Sequence, residues 1–282
     1  MFRSFALGLA LLCLWCGGAQ ARVCNEDFEE FAAQKRLPEL YGAITQGRFT
    51  VNVRDKNGLT PAMAATQQGD LASLQRLIEC GADLRAKDEG GRTALMWAAR
   101  KGQTAAAELL VKHGADLNAK SLLGRTPLIL AEDAGYPETA AALVRLGAEV
   151  NLQDSEGWTA LMSAAWRGDT GLAAQLLQRG AAVNAADQAG WTALMDAAFK
   201  GRTATAQLLL GHGAALNAKA LNGGTALFLA AQAGHLDTVR ALIAAGARPS
   251  QKELDQLLTP QDGIAPPSAE MKALLQTAGT RP

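Results

Sequence analysis

Aromatic residues make up only 5% of the sequence, and histidine is scarcer still, with three in 282 residues. So few large rings suit thin layers of close-packed helices better than one thick globular centre. Charge of one sign is also lacking, because 27 Lys and Arg stand against 27 Asp and Glu. That balance excludes a polybasic nucleic-acid binder, and with 49% hydrophobic residues the chain is neither a disordered tail nor a collagen. Beyond the first residues, no apolar run approaches the roughly 20 residues that a membrane-crossing helix needs. Catalytic signatures are missing too: there is no His-x-x-x-His pair, no pair of Cys-x-x-Cys motifs, no phosphate-binding loop and no Gly-x-Ser-x-Gly elbow. The sequence therefore implies no enzyme, no cofactor and no metal.

At the N-terminus, Met1, Phe2, Arg3 and Ser4 lead into an apolar run from Phe5 to Trp15, followed by Ala19, Gln20 and Ala21. A basic start, a short apolar core and a small-x-small triplet read as a secretory signal over 1–21, cleaved after Ala21. Eleven apolar residues are too few to cross a bilayer as a helix, which disfavours the alternative of an uncleaved anchor. Cleavage removes one Arg and no acid, leaving 26 basic and 27 acidic residues in a periplasmic or secreted protein with no charge-driven partner class. Only Cys24 and Cys80 remain after cleavage. An oxidising compartment lets them pair, the alternative being two thiols. Closing 56 residues would stabilise the fold by roughly 4 kcal/mol in the chain-entropy model.

The chain keeps a period of 33 residues: Gly58, Gly91, Gly124, Gly157, Gly190 and Gly223 recur at that spacing, as do Thr60, Thr93, Thr126, Thr159, Thr192 and Thr225. Two further series, Gly69 to Gly234 and Gly81 to Gly246, hold it without an insertion. Residues 55–252 thus form six units, 55–87, 88–120, 121–153, 154–186, 187–219 and 220–252. In the unit 88–120, Thr93 suits a helix N-cap, and Leu95, Ala98 and Ala99 supply a slim apolar face. Gly102 can end that helix with positive φ. Leu109, Leu110 and Val111 belong to a second helix ended by Gly114, and Asp116 to Ala119 are expected to be extended. Short alanines let neighbouring helix pairs approach, so stacking buries the leucines.

This pattern resembles the ankyrin repeat, through Gly-Arg-Thr-Pro-Leu at 124–128, Gly-Trp-Thr-Ala-Leu at 157–161 and Gly-Ala-Asp-Leu-Asn at 114–118. The resemblance implies an all-α solenoid of stacked helix pairs with hairpin fingers beside a concave groove. It departs from the family where His usually follows Thr-Pro-Leu, since Met63, Met96, Ile129, Met162, Met195 and Phe228 stand there. The methionines among these read as core residues. Residues 22–54 are expected to be N-terminal capping helices, with charged Glu26, Asp27, Glu29, Glu30, Lys35 and Arg36 on the solvated side. Residues 253–282 form a C-terminal capping segment: Ser250 and Glu253 suggest a capping box for a helix to Leu258, followed by a loop with Pro260, Gly263, Pro266 and Pro267 and a helix near 269–277.

Little in the repeats suggests chemistry. His113 and His212 precede helix-ending glycines, where they can face the negative helix end, and His235 sits in the family's Gly-His pair. Glu132, Asp133 and Glu138 read as a solvated face. The surface is more informative, because family members bind through the residue before the Thr, the end of the first helix and the residues after the inter-repeat Asp. Those positions hold Arg92, Arg125, Trp158 and Trp191, then Arg100, Lys101, Trp166, Arg167, Phe199 and Lys200. Aromatic and Arg residues concentrate at binding hot spots, so Trp158, Trp166, Arg167, Trp191, Phe199 and Lys200 are the leading candidate site. Arg92, Arg100, Lys101 and Arg125 are expected to extend it toward an acidic partner surface. Packing between fingers is the structural alternative for Trp158 and Trp191.

The implied function is a monomeric, exported module that binds another protein and acts as an accessory, stabilising or inhibitory factor. No nucleic acid and no membrane anchor after cleavage are expected. Exported bacterial ankyrin proteins of this architecture resemble factors that bind a partner enzyme or neutralise a toxin. A secreted effector and an enzyme with an unrecognised site in the C-terminal cap are the alternatives.

Overall fold

The first helix of each repeat is preceded by a threonine whose backbone is still extended and whose hydroxyl can reach forward to the first free N–H groups of the helix. Thr60, Thr93, Thr126, Thr159 and Thr225 do this, accepting from the N–H of Met63, Met96, Ile129, Met162 and Phe228. Thr192 has the same backbone but no such bond. Where proline follows, at Pro61 and Pro127, it occupies the first helical turn, whose N–H groups have no intrahelical acceptor. The first helix lasts about two turns before its glycine. Gly102 has φ 68° and lies under the Tyr136 ring, so any side chain there meets both backbone strain and a clash.

The computed structural model describes residues 50–258 and 267–279. The signal segment, residues 22–49 of the expected N-terminal cap, Cys24, Pro260, Gly263 and Pro266 lie outside the described residues. Fourteen helices are present among the described residues, and they fall into two compact units, up to Ala148 and from Glu149.

The first unit holds α1 (Pro61–Gln68), α2 (Leu71–Glu79), α3 (Ala94–Arg100), α4 (Thr104–Lys112), α5 (Pro127–Ala134) and α6 (Pro137–Arg145). Helices α1, α3 and α5 pack side by side, and α2, α4 and α6 form the layer behind them. Met63, Leu74, Leu95, Met96, Leu110, Leu128, Ile129 and Leu143 are fully buried. The tips between repeats are turns closed by an aspartate: Asp88 Oδ1 accepts from the N–H of Gly90 and Arg92 at 2.9 and 2.8 Å. Neighbouring tips are joined through the backbone, with Glu89 N–H donating to Asn57 O and Leu122 N–H to Gly90 O. The segment Asp116–Ala119 turns rather than extends, because the Asp116 carboxylate captures the N–H of Asn118 at 2.9 Å.

The second unit holds α7 (Ala160–Arg167), α8 (Thr170–Gln178), α9 (Ala193–Phe199), α10 (Thr203–Gly211), α11 (Ala226–Gln232), α12 (Leu236–Ala244), α13 (Gln251–Leu258) and α14 (Ala269–Gly279). Here α7, α9, α11 and α13 form one layer and α8, α10, α12 and α14 the other. Asn151 and Asn184 pin each repeat to the next, accepting from the N–H of Ala182 and Ala215 and donating to the carbonyls of Gly180 and Gly213. In the back layer, hydroxyl pairs Thr170–Thr205 and Thr203–Thr238 lie 2.8 and 2.7 Å apart. The capping box forms: Glu253 Oε2 accepts from the N–H and hydroxyl of Ser250, and its own N–H donates to Ser250 Oγ. Among the described residues the fingers form no strand, and the one bridge recorded is Ala186 with Thr192. Both units show the all-α solenoid architecture of stacked helix pairs.

Candidate functional site

In the second unit the repeat register places the residue before the threonine and the residue ending the first helix on one surface. Trp158 precedes α7 and Trp166 lies near its end, while Trp191 precedes α9 and Phe199 ends it. Stacking α7 on α9 brings the four rings into a chain of contacts. Trp158 meets Trp166 edge to face with centroids 6.0 Å apart, Trp166 stacks on Phe199 at 5.9 Å, and Phe199 meets Trp191 edge to face at 5.6 Å. These are favourable geometries for aromatic pairs. All four rings are half-buried, so each packs against its neighbours and keeps part of its surface in water. Lys200 folds back with Nζ 4.0 Å from the Trp166 centroid, and Arg167 is exposed beside them.

The first unit carries the basic candidates, and two of the four are engaged internally. Arg92 Nε donates to Asp88 Oδ2 at 2.9 Å, and its guanidinium lies 4.2 Å from the Trp97 centroid. Trp97 Nε1 donates to the same Asp88 oxygen at 3.1 Å. Arg125 pairs with Asp133 at 3.1 Å. Arg100 and Lys101 are exposed, with Arg100 5.8 Å from the Trp97 centroid.

Two acids sit where the sequence reading did not put them. Glu132 was assigned to a solvated face but is 1% exposed. It occupies the register of Ala99, Ala165 and Ala198, which face the interior, so the column rather than the local charge decides its position. Asp133 and Glu138 are exposed as expected. Asp196, at the register of Trp97, Leu130, Ser163 and Leu229, was overlooked. It is 0% exposed, and among the described residues neither carboxylate oxygen has a hydrogen-bond partner. Burial pushes its pKa up to about 8, and the Asp187 charge adds to the effect. A charged residue in an otherwise uncharged column was the signal that could have found it.

The histidines play structural parts. His113 and His212 cap α4 and α10, with His212 Nδ1 3.0 Å from Leu208 O, and His235 Nε2 lies 2.9 Å from Phe199 O. Cys80 caps α2 and is half-buried. A cavity of about 280 Å³ lies beside Lys219, Phe228, Lys252 and Glu253. Glu253 is committed there to the capping box and to the Thr225 hydroxyl. Among the described residues no three His, Cys, Asp or Glu side chains gather as a metal site would require, and no helix is long and apolar enough to cross a membrane.

A family model described as ankyrin repeats (3 copies) matches residues 30–121, 119–187 and 164–253. Comparison with curated proteins finds no match. The matched residues span far more than half of the sequence and include every helix pair from α1 to α12. The chain belongs to the ankyrin-repeat family.

Proposed function

We propose that the chain is an exported interaction module that binds a partner protein through the surface of Trp158, Trp166, Trp191 and Phe199, as an accessory, stabilising or inhibitory factor. Its ankyrin repeats make it a protein–protein interaction module. The observation that carries the choice of surface is the four-ring cluster, half-exposed at positions the repeat itself leaves variable. Large rings bury much area for few ordered rotors, which is why they dominate binding energy. Arg100, Lys101 and Arg167 add exposed positive charge at the corresponding positions.

The test is co-purification of the exported protein with its partner from extracellular or periplasmic extract, identified by mass spectrometry. Trp166→Ala is expected to weaken capture by about 2 kcal/mol, roughly thirtyfold in Kd. Undiminished capture by Trp166→Ala, Trp191→Ala and Phe199→Ala rejects this surface. Export rests on Arg3, the apolar run to Trp15 and the Ala19–Ala21 triplet. The Cys24–Cys80 bridge belongs to the same proposal, because it needs the oxidising compartment that export supplies.

A further inference from the structure

The fingers of the second unit lean on one another in a fixed order, and that order stops at the last of them. The fourth (154–158), fifth (187–191) and sixth (220–224) are the same short turn, each closed by its first N–H on its last carbonyl: Asp154 on Trp158, Asp187 on Trp191, Ala220 on Gly224. The second residue of a finger then donates its N–H to the third residue of the finger before it, Gln188 to Glu156 O at 3.0 Å and Leu221 to Ala189 O at 2.9 Å. The register continues to Leu254 and Asn222, but Leu254 belongs to α13, where its N–H donates to Ser250 O at 3.0 Å. Asn222 O therefore takes no backbone N–H among the described residues. Sterically the edge is open as well. A Cβ placed on Gly157 or Gly190 would meet the next finger's backbone at 2.9 or 3.1 Å, whereas one on Gly223 meets nothing within 4 Å.

The flanking side chains break off in step. Just before the fourth finger, Gln153 donates Nε2 to Ala186 O, one repeat ahead, at 3.2 Å. Lys219 holds that place before the sixth finger and Lys252 holds it one repeat further on, in α13. Both are exposed, and neither ammonium has a hydrogen-bond or ion-pair partner among the described residues. They line one cavity of about 280 Å³ between the sixth finger and α13, together with Asn222, Phe228 and Glu253. Glu253 does not answer them, since its carboxylate is held by Ser250 and the Thr225 hydroxyl.

We propose that this edge of the sixth finger binds an acidic turn of a partner protein, taken up as one further finger. A backbone N–H of the turn donates to Asn222 O, and its carboxylate reaches Lys219 and Lys252. The site lies apart in sequence from the four rings and uses none of their residues. Its unmatched groups set the chemistry of the occupant: a main-chain acceptor at an open edge calls for a main-chain donor, and two ammonium groups call for negative charge. A simple carboxylate ion answers the lysines but brings no N–H, and a neutral turn does the reverse. Because Asn222 O is solvated when unbound, the net gain from pairing it is modest, and the edge by itself is a weak site.

The probe is a cyclic peptide copying residues 185–193, the finger in which Asp187 accepts from the N–H groups of Ala189 and Trp191 and Ala186 bridges to Thr192. Ring closure holds the turn and removes much of its ordering cost. Added at millimolar concentration to the full chain, it is expected to move the NMR resonances of the Asn222 carbonyl and the Gly223 and Gly224 amides. Lys219→Met and Lys252→Met together should weaken its binding about tenfold. A second peptide with Asp187→Asn keeps the turn, because the Asn oxygen accepts the same N–H groups, and should bind as weakly as the lysine variant's complex. Still resonances at 222–224, or equal binding of the two peptides, overturn the proposal. Sodium acetate reproducing the shifts at the same concentration would make the edge a plain anion site, and shifts on concentrating the protein alone would put a second copy there; either result also overturns it.

Discussion

At Asp196 a carboxyl that the unfolded chain ionises near pH 4 keeps its proton to about pH 8 in the folded protein, chiefly because burial penalises the charge. The sign of the consequence is fixed by linkage. Between those two values the native state binds one more proton than the unfolded state, so stability falls as pH rises through the interval and levels off above about pH 8. Asp196→Asn removes that slope. Its stability relative to wild type should grow steadily from about pH 4 to about pH 8 and then hold, which urea denaturation across the range would read. Parallel urea midpoints for the two proteins at every pH would show that Asp196 is ionised in the fold. The neighbouring register positions Trp97 and Ser163 make the same point about side-chain identity. Trp97 spends its indole N–H on Asp88, whereas Asp196 at the same register has Asp187, the counterpart of Asp88, as a like-charged neighbour.

Helices in this chain are short, so their ends carry a large share of their stability. Five of the six repeat threonines make the side-chain cap, and Thr192 does not. Thr159→Ala should therefore cost about 1 kcal/mol, and Thr192→Ala measurably less, on comparison of urea midpoints at one pH. Equal losses would mean that the hydroxyls act through packing and not as caps. Within one repeat a similar contrast separates core from surface. Leu176 in α8 is fully buried, and Leu176→Ala should cost roughly 2 to 5 kcal/mol by leaving a cavity. Trp166→Ala removes contacts with Trp158 and Phe199 and the seat of Lys200, all made by a ring that keeps part of its surface in water and leaves no closed cavity behind. Its thermal unfolding should shift less than that of Leu176→Ala; a larger shift would make the ring structural first. The caps and helix ends were readable from the period because they depend on residues three or four apart. The turn at Asp116–Ala119 was misread as extended because a single side-chain oxygen redirects the backbone there.

At the scale of the whole molecule, the candidate residues of the two units differ in chemistry. Those of the first are basic around Trp97, with Arg92 and Arg125 already paired to Asp88 and Asp133. Those of the second are mainly aromatic. Charge at the first should affect association rate and salt dependence, while ring burial at the second should set dissociation. The proposed export makes two further expectations measurable together. The intact mass of the exported protein should correspond to a chain beginning at Arg22, and thiol counting on the denatured, unreduced protein should find none, since Cys24 and Cys80 are the cysteines left after cleavage. A mass retaining residues 1–21 would reject the cleavage, and two free thiols would reject the bridge.

The sequence by itself determined the repeat length, the helix starts at threonine, the stops at glycine and the identity of the core, including Met63, Met96, Met162 and Met195. Each of these follows from local hydrogen bonding and steric rules applied again every 33 residues. It also placed Trp158, Trp166, Trp191 and Phe199 in columns that share one surface, because register alone puts a residue on a face. Only the tertiary structure decided which of those side chains touch: that the four rings form one chain, that Arg125 turns to Asp133, that Lys200 lies on Trp166, and that Asp196 is buried with no hydrogen-bond partner among the described residues. Those outcomes depend on rotamers and on ångström-scale distances between helices some 33 residues apart in the chain, and no rule of local spacing contains them.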